Sequence, residues 1–415
     1  MKLMIHNTAA KLIAIRGLRS IGQGAMVVDL TLYLKDLQWS GSLIGSVTSA
    51  AGLFGALLIL LVGILSDRFG RKRFLVLYEL ITFFSALWLC FTTQTLVLIL
   101  AIVITGFGRG QSGAAGPFSP AEQAWLSCYA EQSRRGQIFS LNTAVGFAGM
   151  ALGAVIGGLP GLYNSGSPLL AYRPVFFLIA VISLLCTVIL LSMQDRDEPA
   201  EVSVPGVEQR PEKKPGANPE KEHIIWYEEN WALLKLALVN SLNGLAIGLT
   251  GPMMAYWFSL RFEVSTQEIG LMMAAGFFLT GMFAVINGFL AERFGMVKSV
   301  SWMRVAGSLL MLILPWVPSF TLASLIYIMR NSISRGTQGN RSALTVSLTR
   351  ESRRGLAASI NALSNRLPSA VGPTITGYLF DAGQLSLPLT LTAVMQLISA
   401  GLYQRVFGGY DKQKV

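Results

Sequence analysis

Charge is what this sequence has least of. Of its 415 residues only 13% are Asp, Glu, Lys or Arg, against about 25% in soluble domains. Hydrophobic residues make up 52% and the mean hydropathy is +0.53. Such a chain is a polytopic membrane protein whose solvent is the lipid bilayer. Histidine is almost missing: His6 and His223 lie outside the apolar runs. That excludes a Ser–His nucleophile inside the membrane. The three cysteines, Cys90, Cys128 and Cys186, are scattered over predicted helices and form no disulfide framework or metal cluster. No H-E-x-x-H and no glycine loop ending in a phosphate-binding lysine occurs. A metal or nucleotide enzyme has no machinery here, so the expectation is no enzyme and no cofactor.

What is present is a series of apolar spans near 20 residues, the length that crosses a hydrocarbon core. They read at 12–34, 41–65, 74–93, 96–120, 137–160, 173–193, 230–260, 266–290, 297–318, 320–345, 356–380 and 385–407. The predicted fold is therefore an all-α membrane protein of twelve transmembrane helices. Met1–Lys11 leads into a run too long for a signal peptide. The net charge of +11 sits in every second connector, which marks topology and not a nucleic-acid face. Arg68, Arg71, Lys72, Arg73, Arg134, Arg135, Arg293, Lys298, Arg350, Arg353 and Arg354 lie on one side. Lys35, Arg173 and Arg261 lie on the other. The positive-inside rule then expects both termini in the cytoplasm, with the protein in the inner (cytoplasmic) membrane.

One long polar segment, 194–229, interrupts the pattern. Five prolines punctuate a Glu/Lys-rich run there, a composition expected to be disordered. Trp226, Tyr227 and Trp231 at its end read as an interfacial lead-in to helix seven. The expected domains are a six-helix bundle at 1–193, a cytoplasmic linker at 194–229 and a second bundle at 230–415. The two bundles repeat. Ile44–Gly70 matches Ile269–Gly295 at a constant offset of 225, so Gly63 pairs with Gly288 and Asp67 with Glu292. S-R-R-G-x-x-x-S-x-N recurs at Ser133–Asn142 and Ser352–Asn361, at an offset of 219.

Gly63–Arg73 reads G-I-L-S-D-R-F-G-R-K-R. Gly63, Leu65, Asp67, Arg68, Gly70, Arg71 and Lys72 resemble the signature loop between the second and third helices of the major facilitator superfamily of secondary transporters. The resemblance implies parallel six-helix repeats with a substrate site at the midplane. It also implies a latch in which Asp67 meets the start of helix eleven near Arg354, where helix dipole and free N–H groups favour an anion. In the second copy Glu292 keeps the acid, while Met296 and Val297 replace the basic pair. Arg109, in G-F-G-R-G-Q-S-G, resembles the family's helix-four arginine. The glycine run Gly146–Gly158 resembles the antiporter motif on helix five, with Ala154 in place of its proline; ordinary close packing explains it as well. Gly372–Gly377 keeps that proline.

Ionisable residues at membrane depth are costly and mark functional sites. Arg16, Arg19, Asp29, Glu79, Arg109, Glu122, Arg304, Arg330, Arg335, Arg341 and Arg366 lie at such depth. The resemblance makes Asp29, Arg109 and Glu122 proton-coupling candidates, with Asp29 the partner of Arg109 or a solvated outer residue. Glu122 is alternatively a cytoplasmic gate residue. Glu79 is expected to pair locally with Arg71 or Arg73, and Arg16 to snorkel to the cytoplasm. Arg19, Gln23, Asn243, Arg330, Asn361 and Arg366 are the cavity candidates, and a helix-seven break is expected at Pro252. The reading that follows is a proton-coupled transporter working by alternating access, an exporter of a small organic or amphiphilic solute. An importer or exchanger of organic anions held by cavity arginines is the alternative, and a non-transporting receptor the reading from another class. The partners are a small solute, protons and the bilayer, with the protein a monomer.

Overall fold

The computed structural model describes residues 7–108, 119–129, 135–162, 167–193, 219–337, 341, 344 and 354–411. In chain order the helices are α1 (Asn7–Asp36), α2 (Gly41–Phe69), α3 (Arg71–Leu89), α4 (Thr95–Thr105), α5 (Ser119–Cys128), α6 (Arg135–Gly157) and α7 (Pro168–Leu191). The second half holds α8 (Pro219–Thr250), α9 (Met254–Phe262), α10 (Thr266–Phe294), α11 (Met296–Ile313), α12 (Phe320–Gly336), α13 (Arg354–Asp381) and α14 (Leu387–Phe407). Apolar spans near 20 residues select helices in lipid, because a helix satisfies each backbone polar group within its own segment. Side chains such as Leu53, Phe84, Trp88, Phe177, Leu238 and Trp302 are exposed, as a lipid-facing surface requires.

Among the described residues fourteen α-helices trace the twelve spans, because two of the spans are broken. The fourth span, expected as one helix from 96 to 120, ends at Gly106, whose left-handed φ of 69° caps α4; Gly108 also has positive φ. The seventh span breaks between Thr250 and Met254, as Pro252 predicts, since proline cannot donate to the preceding turn. The eighth helix in chain order, α8, begins at Pro219, so the end of the segment expected to be disordered is helical. Trp226, Tyr227 and Trp231 there are exposed, and the Trp231 indole N–H donates to the Tyr227 hydroxyl at 2.6 Å.

Among the described residues, five helical stretches are apolar and long enough to cross a membrane by composition alone, Gly41–Ile59 and Leu169–Leu191 among them. In others, such as α1 with Arg16, Arg19 and Asp29, buried ionisable residues lower the hydropathy.

The repeat in the sequence is also a repeat in the backbone. Gly70, between α2 and α3, has φ 90° and ψ 129°; Gly295, between α10 and α11, has φ 92° and ψ 149°. A single residue with positive φ reverses the chain in both copies, a conformation that glycine adopts without a Cβ clash. Within the first half α1 packs on α6 and α3 on α7; within the second α8 packs on α13 and α11 on α14. The halves meet along α2 with α13 and α6 with α10.

These contacts are unequal along the axis. At the distal end, where α1 ends and α2 begins, one apolar core runs through both halves, from Tyr33, Ile44 and Phe176 to Trp257, Phe258 and Phe380. At the end that carries Asn7 and Phe407, the core is two separate clusters. One holds Leu12, Trp125 and Leu190 of the first half, the other Leu236, Val300 and Phe407 of the second. In lipid, helices gain little from apolar transfer and associate through close packing and polar bonds. The distal end has both. A Cβ on Gly45 would overlap the Pro373 carbonyl, and one on Gly377 the Gly41 carbonyl. Asp381 accepts from the Gly41 and Ser42 backbone N–H groups at 2.6 and 2.8 Å. The Ser49 and Thr374 hydroxyls are 2.7 Å apart. The molecule is closed at its distal end, and among the described residues no shared apolar cluster joins the halves at the other.

Candidate functional site

A cavity of about 1900 Å³, its open mouth included, lies between the two halves. The first half lines it with small and apolar groups such as Gly22, Met26, Gly52, Gly55, Ile104 and Ile182. The second half lines it with Arg304 on α11, Arg330 and Arg335 on α12, Arg341 beyond α12, and Arg366 on α13. Glu79 is the one acidic residue among the described lining residues.

Arg19 forms the polar centre of the first half. Its Nε donates to Glu79 Oε1 at 2.6 Å and its Nη1 to Glu122 Oε2 at 2.5 Å. Three helices therefore meet on one guanidinium: α1, α3 and α5. Arg19, Glu79 and Glu122 are 6%, 1% and 1% exposed. Tyr78 lies under the guanidinium, 5.7 Å from the ring centroid, and its hydroxyl donates to the Thr105 carbonyl. One positive charge faces two carboxyl groups. Glu122 Oε1 and Arg19 Nη2 are buried without a partner, so the cluster holds unspent hydrogen-bonding capacity.

The second half has the opposite character. Arg304 Nη1 meets the Ser399 hydroxyl at 3.4 Å and stacks 5.0 Å from the Tyr403 ring centroid. Arg330 donates to Asn331 Oδ1 at 3.0 Å and to Gln396 Oε1 at 3.3 Å. Among the described residues neither faces a carboxylate. Arg304 Nη2 and Arg330 Nε are buried without a hydrogen-bond partner. Arg335 lies 5.7 Å from the Phe277 ring centroid.

The structure sorts the sequence candidates. Arg19, Gln23, Asn243, Arg330 and Arg366 all line the cavity. Asn361 does not; it accepts from Asn240 at 2.8 Å, a bond between α8 and α13. Glu79 reaches Arg19 and not the local Arg71 or Arg73, because its side chain turns inward to a cation 60 residues away in sequence. Glu122 joins the same guanidinium. Arg16 does not snorkel: it is 4% exposed and its guanidinium lies against Gly146 of α6. The glycine run of α6 serves this contact, since Gly149, Gly153 and Gly157 all face the α1 backbone. Asp29 is fully buried in α1, so it is not a solvated outer residue. It does not line the cavity, and neither carboxyl oxygen has a hydrogen-bond partner. Arg109, and with it the Asp29–Arg109 pair, lies outside the described residues, as do the side chains of Gly63, Asp67, Arg68, Glu292 and Arg354. Arg71 and Lys72 are half-buried at the start of α3, and Lys72 donates to the Met193 and Leu191 carbonyls at 2.5 and 3.1 Å. Tyr78, Gln396 and Asn331 escaped sequence reasoning, since single polar residues in apolar runs carry no periodic signal.

Comparison with known proteins gives the same architecture. The chain is 25% identical over 391 residues to the uncharacterized MFS-type transporter YceJ of Bacillus subtilis, covering 91% of this chain and 90% of that one. It is 22% identical over 371 residues to the quinolone resistance protein NorA of Staphylococcus aureus, covering 87% of each. The crystal structure of the nucleoside transporter NupG (D323A mutant) superimposes with a TM-score of 0.71 at 14% identity, over 97% of this chain and all of that one. The family model for the Major Facilitator Superfamily matches residues 12–233 and 236–412. With twelve spans, two repeated halves and a cavity between them, the chain belongs to the major facilitator superfamily.

Proposed function

We propose that this transporter is proton-coupled and works by alternating access, with Arg19, Glu79 and Glu122 as its coupling cluster, exporting a small organic or amphiphilic solute. The observation that carries the reading is one guanidinium held by two carboxyl groups beside the cavity. With Arg19 bound to both, one negative charge is left over when both are ionised. A proton taken by either carboxylate cancels that charge and frees one arm of Arg19. Movement of Arg19 toward a bound solute has the converse effect and makes a proton acceptable. The cycle balances when one proton enters the cluster from outside and leaves it to the cytoplasm for each solute carried outward.

The basic connectors support a cytoplasmic assignment for the end that carries the termini. The closed distal end is then the outer one, and closure there is the state in which an exporter loads from the cytoplasm. NorA, named for quinolone resistance, supports the outward direction. Asp29, sealed in the distal core, is a third carboxyl that opening of that end would hydrate. A second reading, import or exchange of organic anions, is favoured by the arginines of the second half.

The test uses purified protein in proteoliposomes with an imposed pH gradient and a panel of cationic dyes, organic anions and lysolipids. Uphill movement of a solute with proton counterflow, lost in Glu122→Gln, is the expected result. Movement only down the solute's own gradient at every pH would reject coupling. Solute binding without any flux would make the chain a receptor.

A further inference from the structure

The repeat that joins Ile44 to Ile269 extends four residues further back. S-G-S-L at 40–43 stands where S-T-Q-E stands at 265–268, since 265 − 40 = 225 and 268 − 43 = 225. Ser40 and Ser265 each precede a helix, α2 and α10. The first turn of a helix carries backbone N–H groups with no carbonyl to meet. A serine followed three residues later by a glutamate satisfies them locally, as a capping box. At α10 the box is complete. Glu268 accepts from the Ser265 backbone N–H at 2.9 Å and from the Ser265 hydroxyl at 2.8 Å, and its own N–H donates to that hydroxyl at 3.3 Å. At α2 only one side of it exists. The Ser40 hydroxyl accepts from the Leu43 N–H at 3.3 Å, but the Leu43 side chain has no acceptor to return.

The carboxylate that α2 lacks comes from the other half. Asp381, the last residue of α13, accepts from the Gly41 N–H at 2.6 Å with one oxygen and from the Ser42 N–H at 2.8 Å with the other. By the second offset its counterpart is Leu162, since 381 − 219 = 162, and residues 158–167 contain no acid. There Gly158 and Gly161 pack against Thr266 and Gln267 at the start of α10. One helix start is therefore capped from its own segment, whatever the arrangement of the halves. The other is capped across the seam between the halves, and only while that seam is shut. Asp381 is exposed and Ser42 half-buried, so water replaces both bonds when the seam parts and the contact is reversible. A carboxylate on a helix N-terminus is stabilised by the helix dipole as well as by its hydrogen bonds. Here that stabilisation belongs to one state alone.

We propose that Asp381 is a latch that biases the resting protein toward the closed distal end, by supplying α2 with the cap that Leu43 does not provide, while the self-capped start of α10 adds no such bias. The proposal rests on the alternating-access reading, and not on the coupling cluster, the solute or the direction of transport. Completing the box of α2 from within makes the cap independent of state. Leu43→Glu places a carboxylate where Glu268 stands in the second copy, and so removes what Asp381 adds to the closed state.

The experiment measures interspin distances in the purified full-length protein, with labels on cysteines placed at Thr93 and Ser319 and the native Cys90, Cys128 and Cys186 replaced by serine. Both labels sit at the distal end, one on each half. Leu43→Glu and Asp381→Asn are each expected to raise the distal-open population about two- to fivefold, the size of a charge effect at a helix terminus. The double variant is expected to open no further than either single one, because both remove the same bias. Leu43→Gln, which completes the box without a charge and serves if the glutamate variant does not fold, is expected to shift the population in the same direction. Glu268→Leu is expected to lower the melting temperature and leave the distances unchanged. Leu43→Ala loses the apolar contact and gains no acceptor; an opening as large as that of Leu43→Glu would make packing the cause and overturn the latch. So would a double variant whose effect is the product of the two single ones, or a shift in Glu268→Leu equal to that in Asp381→Asn. Two distance populations in the wild type that none of the variants moves would overturn the latch and leave alternating access intact. One unchanging distance in every variant would overturn both.

Discussion

Arg19 on α1 donates to Glu122 on α5 at 2.5 Å across 103 residues of sequence, while its Nε holds Glu79 on α3. The first half is thereby tied at its centre by one guanidinium.

Removing that guanidinium leaves two buried carboxyl groups facing each other. Arg19→Ala is expected to destabilise the protein by about 3–5 kcal/mol, the cost of breaking a buried pair from one side. The triple variant Arg19→Met, Glu79→Gln, Glu122→Gln is expected to recover most of the loss, because no charge is left unpaired. Thermal unfolding of the purified proteins in detergent measures both. Equal melting of wild type and Arg19→Ala would show that the cluster bears no structural load.

Neither carboxyl oxygen of Asp29 has a hydrogen bond to lose. Asp29→Asn is expected to leave stability within about 1 kcal/mol of wild type, as for substitutions that break none of the usual interactions. If Asp29 carries a proton in the cycle, proton-driven accumulation falls at least tenfold in the same variant. Vesicle flux with and without a pH gradient separates the two effects.

The closed distal end depends on backbones in contact. Gly45→Val places side-chain atoms against the Pro373 carbonyl of the other half, whereas Gly153→Val does so against the Ile21 carbonyl of its own half. The first is expected to shift the balance between states, with the second lowering stability. Labelling of a cysteine placed at Ser46, read beside the melting temperature, distinguishes them. A large loss of stability in Gly45→Val without new labelling would contradict the assignment.

Asp381 caps the start of α2 from the far half through two backbone N–H groups. Its carboxylate favours the helix N-terminus by about 0.3–1 kcal/mol where it is exposed. Asp381→Asn is therefore expected to raise the distal-open population two- to fivefold, and added salt to shrink the difference. Interspin distances between labels across the distal end, measured at low and high salt, check it.

The spans, the repeat and the family resemblance were legible in the chain because each is local. Apolar length shows a span, proline and glycine show the break after Thr250, and a constant offset shows the duplication. The signature loop needs eleven contiguous residues. The charges at membrane depth were legible too, since a lone arginine or glutamate stands out in an apolar run.

Partners were not legible. Glu79 reads as a neighbour of the basic loop, since sequence distance favours Arg71 and Arg73, yet rotation about the helix axis aims it at Arg19. Arg16 reads as able to reach water, yet α6 covers it through a glycine face. The break after Thr105 hides within an apolar run, because Gly106 looks like any other membrane glycine until its φ is known. Sequence alone determined twelve spans in two copies and which residues carry charge inside them. Only the tertiary structure decided that the acids of one half share a guanidinium, that the arginines of the other line a cavity, and which end is shut. Side-chain direction, helix rotation and inter-half packing are set by contacts between segments far apart in the chain, and no local pattern encodes them.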